Sequence, residues 1–172
     1  ILIVSAFLFF FLVHSTHHWN QKTTLEVETP DGLRTGSSVV SVWWTEGSRI
    51  GGYFPGTDQA NSSFHGEATV VEVLPGKYLF ALLKGENHLG EPQIVALKMF
   101  GKTDGTIRYS APVLKNTRHK EAIPRDRYPL LVTFKNINDP ASVQIVNPDN
   151  LEVTFGPGVE LKSITLEITD EP

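Results

Sequence analysis

The chain has 172 residues, of which 40% are hydrophobic and 20% are charged, and its formal net charge is -4. This length favours a single domain with a substantial core. The sequence contains no cysteine, which excludes disulfide bonds, zinc–thiolate sites and a thiol nucleophile. The slight excess of acidic residues argues against a general nucleic-acid-binding protein.

The N-terminal segment is strongly hydrophobic. Residues 1–13 are apolar except for Ser5, and the first Asp, Glu, Lys or Arg is Lys22. A helix of this length spans about 20 Å, less than the hydrocarbon core of about 30 Å, so we expect the hydrophobic run to continue upstream of Ile1. A signal peptide or a buried core segment is an alternative, but no small-residue cleavage site follows. The sequence therefore predicts a transmembrane anchor over 1–19, followed by a β domain over 20–172.

Imidazole and indole side chains come directly after the hydrophobic run. Their apolar bodies and polar edges suit the headgroup layer, so we predict that His14, His17, His18 and Trp19 lie at the membrane interface. His14 and His18 are spaced i, i+4, which also suits a metal site, but no acidic residue precedes Glu26. We therefore favour the interfacial interpretation and predict no metal.

The short flank after the anchor gives a weak indication of orientation. It holds only one basic residue, Lys22, and the domain that follows is acidic. The positive-inside rule then favours an extracytoplasmic domain. We predict a single-pass protein of the bacterial inner membrane with its globular domain in the periplasm.

The remaining sequence has the hydrophobic pattern of strands. Alternating or β-branched runs predict strands over 22–29, 38–45, 68–74, 78–83, 94–100, 128–134 and 159–169. The turn Pro75-Gly76 predicts a hairpin, and 107–109 is expected to pair back on 94–100. Short helical turns are expected over 140–146 and 148–155, capped by Asp139 and Asn147. Long loops are expected over 46–65 and 110–127.

These elements define the predicted fold class. The chain is expected to be mainly β, a β-sandwich or open barrel of about seven or more strands, preceded by a single N-terminal transmembrane helix. The last strand carries a further prediction. Its apolar residues are at odd positions first, Val159 and Leu161, and then at even positions, Ile164, Leu166 and Ile168. In a regular strand these two groups would face opposite sides of the sheet. A β-bulge at residues 162–163 would keep both groups on the core face.

No motif indicates catalysis. The sequence contains no nucleophile elbow, phosphate-binding loop, zinc-protease helix motif or calcium loop. The glycines at 51–52 and 156–158 are expected to form tight turns, and His65, His88 and His119 are expected at the surface. We predict no catalytic, cofactor-binding or metal-binding residue, no cofactor and no enzyme activity.

Two features indicate partner binding. The segment 115–127 contains five basic residues against Glu121 and Asp126, and it suits either anionic headgroups and acidic partners or a solvated loop. The basic residues are Lys115, Arg118, Lys120, Arg125 and Arg127. Trp43 and Trp44 are adjacent, so in a strand they face opposite sides, and a second layer, an interface or a loop lid would each account for the outward one.

Several stretches resemble an uncharacterised family of proteobacterial membrane-anchored proteins. The resemblance lies in WNQK at 19–22, VETPDG at 27–32, GSSV at 36–39, DRYPLLVTF at 126–134, DPASV at 139–143, FGPGV at 155–159 and LEITDEP at 166–172. It implies one hydrophobic N-terminal segment and one globular domain, and it implies no activity, cofactor or catalytic residue.

The leading hypothesis is a non-enzymatic accessory subunit that packs on a photosynthetic, respiratory or transport complex of the inner membrane. Its expected partners are the lipid bilayer and integral membrane subunits, with no nucleic acid. A stand-alone membrane-anchored binding module for an anionic small molecule or lipid headgroup is the alternative. A hydrolase with an unfamiliar site is a third hypothesis, which requires His65 or His119 near a carboxylate and a serine.

Overall fold

The computed structural model describes residues 16–45, 61–85, 90–101, 113–114, 117 and 119–172. The strands in these residues are β1 (Thr16–Thr29), β2 (Gly32–Thr45), β3 (Asn61–Gly66), β4 (Thr69–Leu74), β5 (Lys77–Gly85), β6 (Lys120–Ala122), β7 (Pro129–Phe134), β8 (Val143–Ile145) and β9 (Glu160–Thr169). The helices are α1 (Pro92–Phe100) and α2 (Glu152–Phe155), with 3-10 turns at Arg125–Arg127 and Pro140–Ser142.

The described strands form two antiparallel sheets. Sheet 1 has the order β3-β2-β1-β9-β6, and sheet 2 has the order β4-β5-β7-β8. Alternate residues of the strands in both sheets enter one hydrophobic core, which includes Leu25 and Val42 from sheet 1 and Leu79 and Leu131 from sheet 2. The prediction of a mainly β fold is confirmed, and the two sheets fit its sandwich form.

The hairpin of β1 and β2 is the centre of sheet 1. Its register runs from Thr29 opposite Gly32 to Thr16 opposite Thr45. The turn at Pro30-Asp31 ends on Gly32, whose φ of 106° is in the left-handed region that favours glycine. On β1 the odd-numbered residues point inward. Trp19 is consequently buried, as is its cross-strand neighbour Val42.

The predicted β-bulge in the last strand is confirmed. Opposite β1, the partner of Glu26 is Ser163, but the partner of Val27 is Leu161, so Lys162 is the extra residue. The shift brings Leu161 to the same face as Ile164, which is fully buried. The exposed Lys162 therefore reverses which residue numbers of β9 face inward, odd before the bulge and even after it. As a result the apolar residues on both sides of the bulge face the core.

The strand predicted over 94–100 is wrong, because this run forms α1. The helix begins at Pro92, a residue whose fixed φ suits a first helical turn, and buries Val95, Ala96 and Leu97. A short apolar run does not distinguish a buried helix from a buried strand. Ala, Leu, Lys and Met within the run favour the helix. Its predicted partner, 107–109, lies outside the described residues.

The predicted transmembrane helix over 1–19 is also wrong. Residues 16–19 belong to β1, where they pair with the end of β2. No helix in the described part of the chain is long and apolar enough to cross a membrane. Residues 1–15 lie outside the described residues. The side chains of these four residues alternate between the two sides of the sheet, as they do in any strand. Thr16 and His18 are exposed, whereas His17 is half-buried and Trp19 is buried.

The predicted loops and turns are partly correct. A 3-10 turn begins after Asp139, whose carboxylate accepts a hydrogen bond from the N–H of Ala141 at 3.0 Å. However, residues 143–145, expected in the same helical turn, form β8. The predicted loops contain β3 and β6, which are short edge strands of sheet 1.

The backbones of the two sheets come into close contact where β4 passes β2. A Cβ atom added to Gly36 would overlap the carbonyl oxygen of Val70 and lie 2.7 Å from its carbonyl carbon. Beside this crossing, the hydroxyl groups of Ser38 and Thr69 are hydrogen-bonded at 2.7 Å. Glycine at position 36 therefore sets the distance between the sheets at this corner.

Candidate binding surfaces

The outer face of sheet 2 carries an apolar row that crosses all four strands. Val70 lies opposite Phe80, Phe80 lies opposite Val132, and Val132 lies opposite Ile145. Residues of opposite parity on the same strands, such as Leu79 and Leu131, point into the core. Val70 is 40% exposed and Ile145 is 72% exposed. The row therefore presents apolar side chains to solvent at both edges of the sheet.

Aromatic rings widen this row. The rings of Phe80 and Phe134 meet edge-to-face with centroids 5.3 Å apart, and the rings of Tyr78 and Phe80 are 6.4 Å apart. Val143, which lies opposite Phe134, is 47% exposed. We define the apolar face by six half-buried or exposed residues (Val70, Tyr78, Phe80, Phe134, Val143 and Ile145) together with Val132, which lies between them in the row and is only 2% exposed. An antiparallel sheet commonly has one solvated face, but sheet 2 is apolar on both.

The adjacent tryptophans face opposite sides of sheet 1, as predicted. Trp44 points inward and is 7% exposed, whereas Trp43 points outward and is 40% exposed. Trp43 lies opposite His18 on β1 and opposite Ser63 on β3. Its ring lies 4.8 Å from the His18 ring at an interplanar angle of 32°.

Polar side chains surround the exposed indole. Ser41, two positions before Trp43, donates a hydrogen bond to Asn20 Oδ1 at 2.8 Å and lies opposite His65. Asn20 in turn donates to the backbone carbonyl of Glu171 at 2.7 Å. We define the Trp43 platform by six residues on the outer face of sheet 1: His18, Asn20, Ser41, Trp43, Ser63 and His65.

The residues predicted at a membrane interface lie within β1. Trp19 is 3% exposed and donates its indole N–H to Gln21 Oε1 at 2.9 Å. His18 is exposed and belongs to the Trp43 platform, and His17 points inward. His14 lies outside the described residues.

The described basic residues of segment 115–127 lie close to acidic groups. Arg125 binds Asp149 at 3.2 Å. Lys120 is opposite Glu167 in the sheet, and Arg127 Nε is 3.9 Å from Asp126. Lys115 and Arg118 lie outside the described residues. The three described charges are therefore largely balanced within the chain, which weakens the case for a free anion-binding patch.

Among the described residues, few of the side chains that could serve in catalysis or metal binding lie close to one another. His65 and His119 are exposed, and His88 lies outside the described residues. His65 lies opposite Ser41, but the serine hydroxyl donates to Asn20. The described residues contain no group of three His, Asp or Glu side chains that could hold a metal ion.

Of the two tight turns predicted at glycines, one lies within the described residues. The glycines at 51–52 lie outside the described residues. Gly156 and Gly158 have φ values of 111° and 78°, which confirms the tight turn predicted there.

The sequence interpretation missed the apolar face. Its signal lies in residues 78–83, YLFALL, where both parities are apolar or aromatic. In an antiparallel hairpin such a run indicates burial on one side and an apolar surface on the other.

Comparison of the chain with protein-family models, with curated proteins and with solved structures finds no match.

Proposed function

We propose that this protein is a non-enzymatic accessory subunit that packs on a larger protein assembly through its apolar face. The observation that carries the proposal is the row from Val70 to Ile145, which is in register across all four strands of sheet 2. The largest apolar patch of a soluble domain is often a functional surface.

The chemistry of the face favours a polypeptide as its partner. Phe80 and Phe134 form a rigid aromatic pair, and aromatic side chains dominate the energetics of protein interfaces. Anionic lipid surfaces attract clusters of basic residues. The exposed charged residues of β4 and β5 are Glu72, Lys77 and Lys84, which give a net charge of one and form no basic cluster beside the face.

The size of the face favours a partner larger than a second copy of this chain. Four strands at about 4.8 Å spacing, with a mean length of about six residues, cover about 400 Å². Two copies packed face to face would bury about 800 Å² in total, below the about 1,200 Å² of a stable specific interface. A partner that also covers the surrounding loops reaches this value, as expected for a subunit within an assembly.

The membrane location inferred from the sequence stays a prediction, as do bilayer and integral membrane partners, and the proposal requires no membrane helix. The alternative of an anion-binding module is less favoured, because the described basic residues pair with acidic groups.

The test is co-purification of the tagged protein in mild detergent from the cells that encode it. We expect elution with a large assembly on size exclusion, and we expect Ile145→Asp and Val70→Asp to release the protein. Val153→Asp, at an 81% exposed position on α2, is the matched control and should stay bound. All three variants should keep the melting temperature of the unchanged protein.

Elution of the unchanged protein as a free monomer would contradict the proposal. Retention of both Asp variants in the assembly would equally contradict the assignment of the apolar face.

A further inference from the structure

The outer face of sheet 1 has a second exposed surface, the Trp43 platform, with a different chemistry. Trp43 lies on β2, which is paired on both sides at this position, with His18 on β1 and Ser63 on β3. Its indole is therefore presented from the interior of a sheet rather than from a loop or an edge.

The indole is held in position before any ligand arrives. The His18 ring lies 4.8 Å from it, and the paired backbone fixes the positions of both residues. A side chain that is already ordered loses little conformational entropy on binding. Trp43 nevertheless keeps 40% of its surface exposed, so part of the residue remains open to a ligand.

The groups around the ring are suited to hydrogen bonding. Ser41 donates to Asn20, which leaves lone pairs on the serine oxygen and on the amide oxygen. Ser63 adds a hydroxyl group, and exposed His65 adds ring nitrogens. The other five residues of the platform have polar side chains and none is aliphatic, so the platform differs in chemistry from the apolar face.

We propose that the Trp43 platform binds a neutral saccharide. The C–H groups on one face of a pyranose ring pack against the electron-rich face of an indole. The sugar's hydroxyl groups then meet the serine, amide and imidazole groups that surround Trp43.

The composition of the platform does not suit a nucleic acid. A single-stranded nucleic acid also stacks on aromatic rings, but it needs basic residues along its phosphates. The platform contains no Lys, Arg, Asp or Glu, and the nearby Lys22 on β1 binds Glu171 at 2.9 Å. The absence of Lys, Arg, Asp and Glu from the platform therefore favours an uncharged ligand. The outer faces of the two sheets are separate surfaces, so this site adds to the subunit interface proposed above and does not depend on it.

The experiment titrates the full chain with maltohexaose, cellohexaose and chitohexaose, each to about 10 mM, a limit that detects weak single-site binding. The readout is the indole N–H region of the NMR spectrum, since the chain has three tryptophans. The Trp43 signal is assigned by its loss in Trp43→Phe. We expect at least one oligosaccharide to shift the Trp43 signal while the signals of buried Trp19 and Trp44 stay in place.

Variants then localise the site. Trp43→Ala should weaken binding by about tenfold or more, and His65→Ala should weaken it by a few fold. Leu33→Ala, at a 55% exposed position on the same face of β2, is the matched control and should bind normally. His65→Ala and Leu33→Ala should leave the melting temperature unchanged, whereas Trp43→Ala also removes the contact with the His18 ring, so its fold is checked by circular dichroism before binding is measured.

Three results would overturn the inference. One is the absence of any Trp43 shift with all three oligosaccharides. Another is unchanged binding in a folded Trp43→Ala protein. The third is a preference for a sulfated oligosaccharide over its neutral counterpart, which would show that charge dominates recognition.

Discussion

Replacing Gly36 with alanine should force the two sheets apart. The new Cβ would lie 2.7 Å from the carbonyl carbon of Val70 and 3.1 Å from Val71 Cα, and it would overlap the Val70 carbonyl oxygen. All three atoms belong to the backbone of β4, so no side-chain rotation relieves the contact. The strand itself must move.

The expected loss of stability follows from two opposing effects. Overpacking a tight interior costs about 1–3 kcal/mol, and a backbone clash places Gly36→Ala at or above the upper end of this range. Alanine also restricts the unfolded chain and suits a strand better than glycine, which returns about 0.5–1 kcal/mol. We expect a net loss of about 2–3 kcal/mol, which for a domain of this size lowers the melting temperature by about 4–12 °C.

Thermal and urea unfolding followed by circular dichroism would measure this loss. Ser37→Ala, at the exposed neighbouring position, controls for the substitution itself and should stay within about 0.5 kcal/mol of the unchanged protein. Gly76→Ala separates the clash from backbone strain, because Gly76 has a φ of 71° with no atom within 4 Å of an added Cβ. A Gly36→Ala protein as stable as Ser37→Ala would refute the close crossing of β4 over β2.

Three further predictions use the same unfolding assays. Ile164→Ala, at a fully buried position, should cost about 2–5 kcal/mol, whereas Ile145→Ala, at a 72% exposed one, should cost under about 0.5 kcal/mol; equal losses would contradict the assignment of inner and outer faces. Deleting Lys162 should abolish cooperative unfolding, because Leu161 would turn outward, whereas Lys162→Ala should be nearly neutral; a stable deletion variant would contradict the bulge. Gln21→Ala should cost about 1–3 kcal/mol by leaving the buried Trp19 indole N–H without its acceptor, and no loss would show that another group replaces it.

Alternation along the chain was sufficient to predict the long strands. Strands β1, β2 and β5 contain the segments that the sequence predicts, and β4, β7 and β9 begin one residue later than predicted and end at the predicted residue. The bulge in β9 was also predictable, because a change of parity within one apolar strand has only one simple structural solution. These elements share a local cause, since their own residues define a buried and a solvated side.

The elements that were missed depend on distant partners. β3 has the sequence NSSFHG and β6 has the sequence KEA, neither of which is a strong strand former. They become strands because β2 and β9 offer unpaired edges, and the sequence does not show which segments will occupy them. The helix α1 was missed for another reason: its apolar run is short enough to suit either type of element.

In the binding surfaces, too, the features with a local cause were predictable and those that depend on distant strands were not. The opposite orientation of Trp43 and Trp44 was predictable from their adjacency alone. The neighbours of Trp43 were not, because Ser63 and His65 reach it only through the pairing of β3. The apolar row likewise requires the register of four strands, which no single segment contains.

The position of β1 between β2 and β9 also affects how the chain is made. The ion pair of Lys22 with Glu171 joins residues 149 positions apart, and the full pairing of β1 with β9 spans similar separations. Proteins dominated by such non-local contacts fold slowly. During synthesis one edge of β1 stays open until β9 has left the ribosome, so the nascent chain is exposed to mispairing for most of its translation.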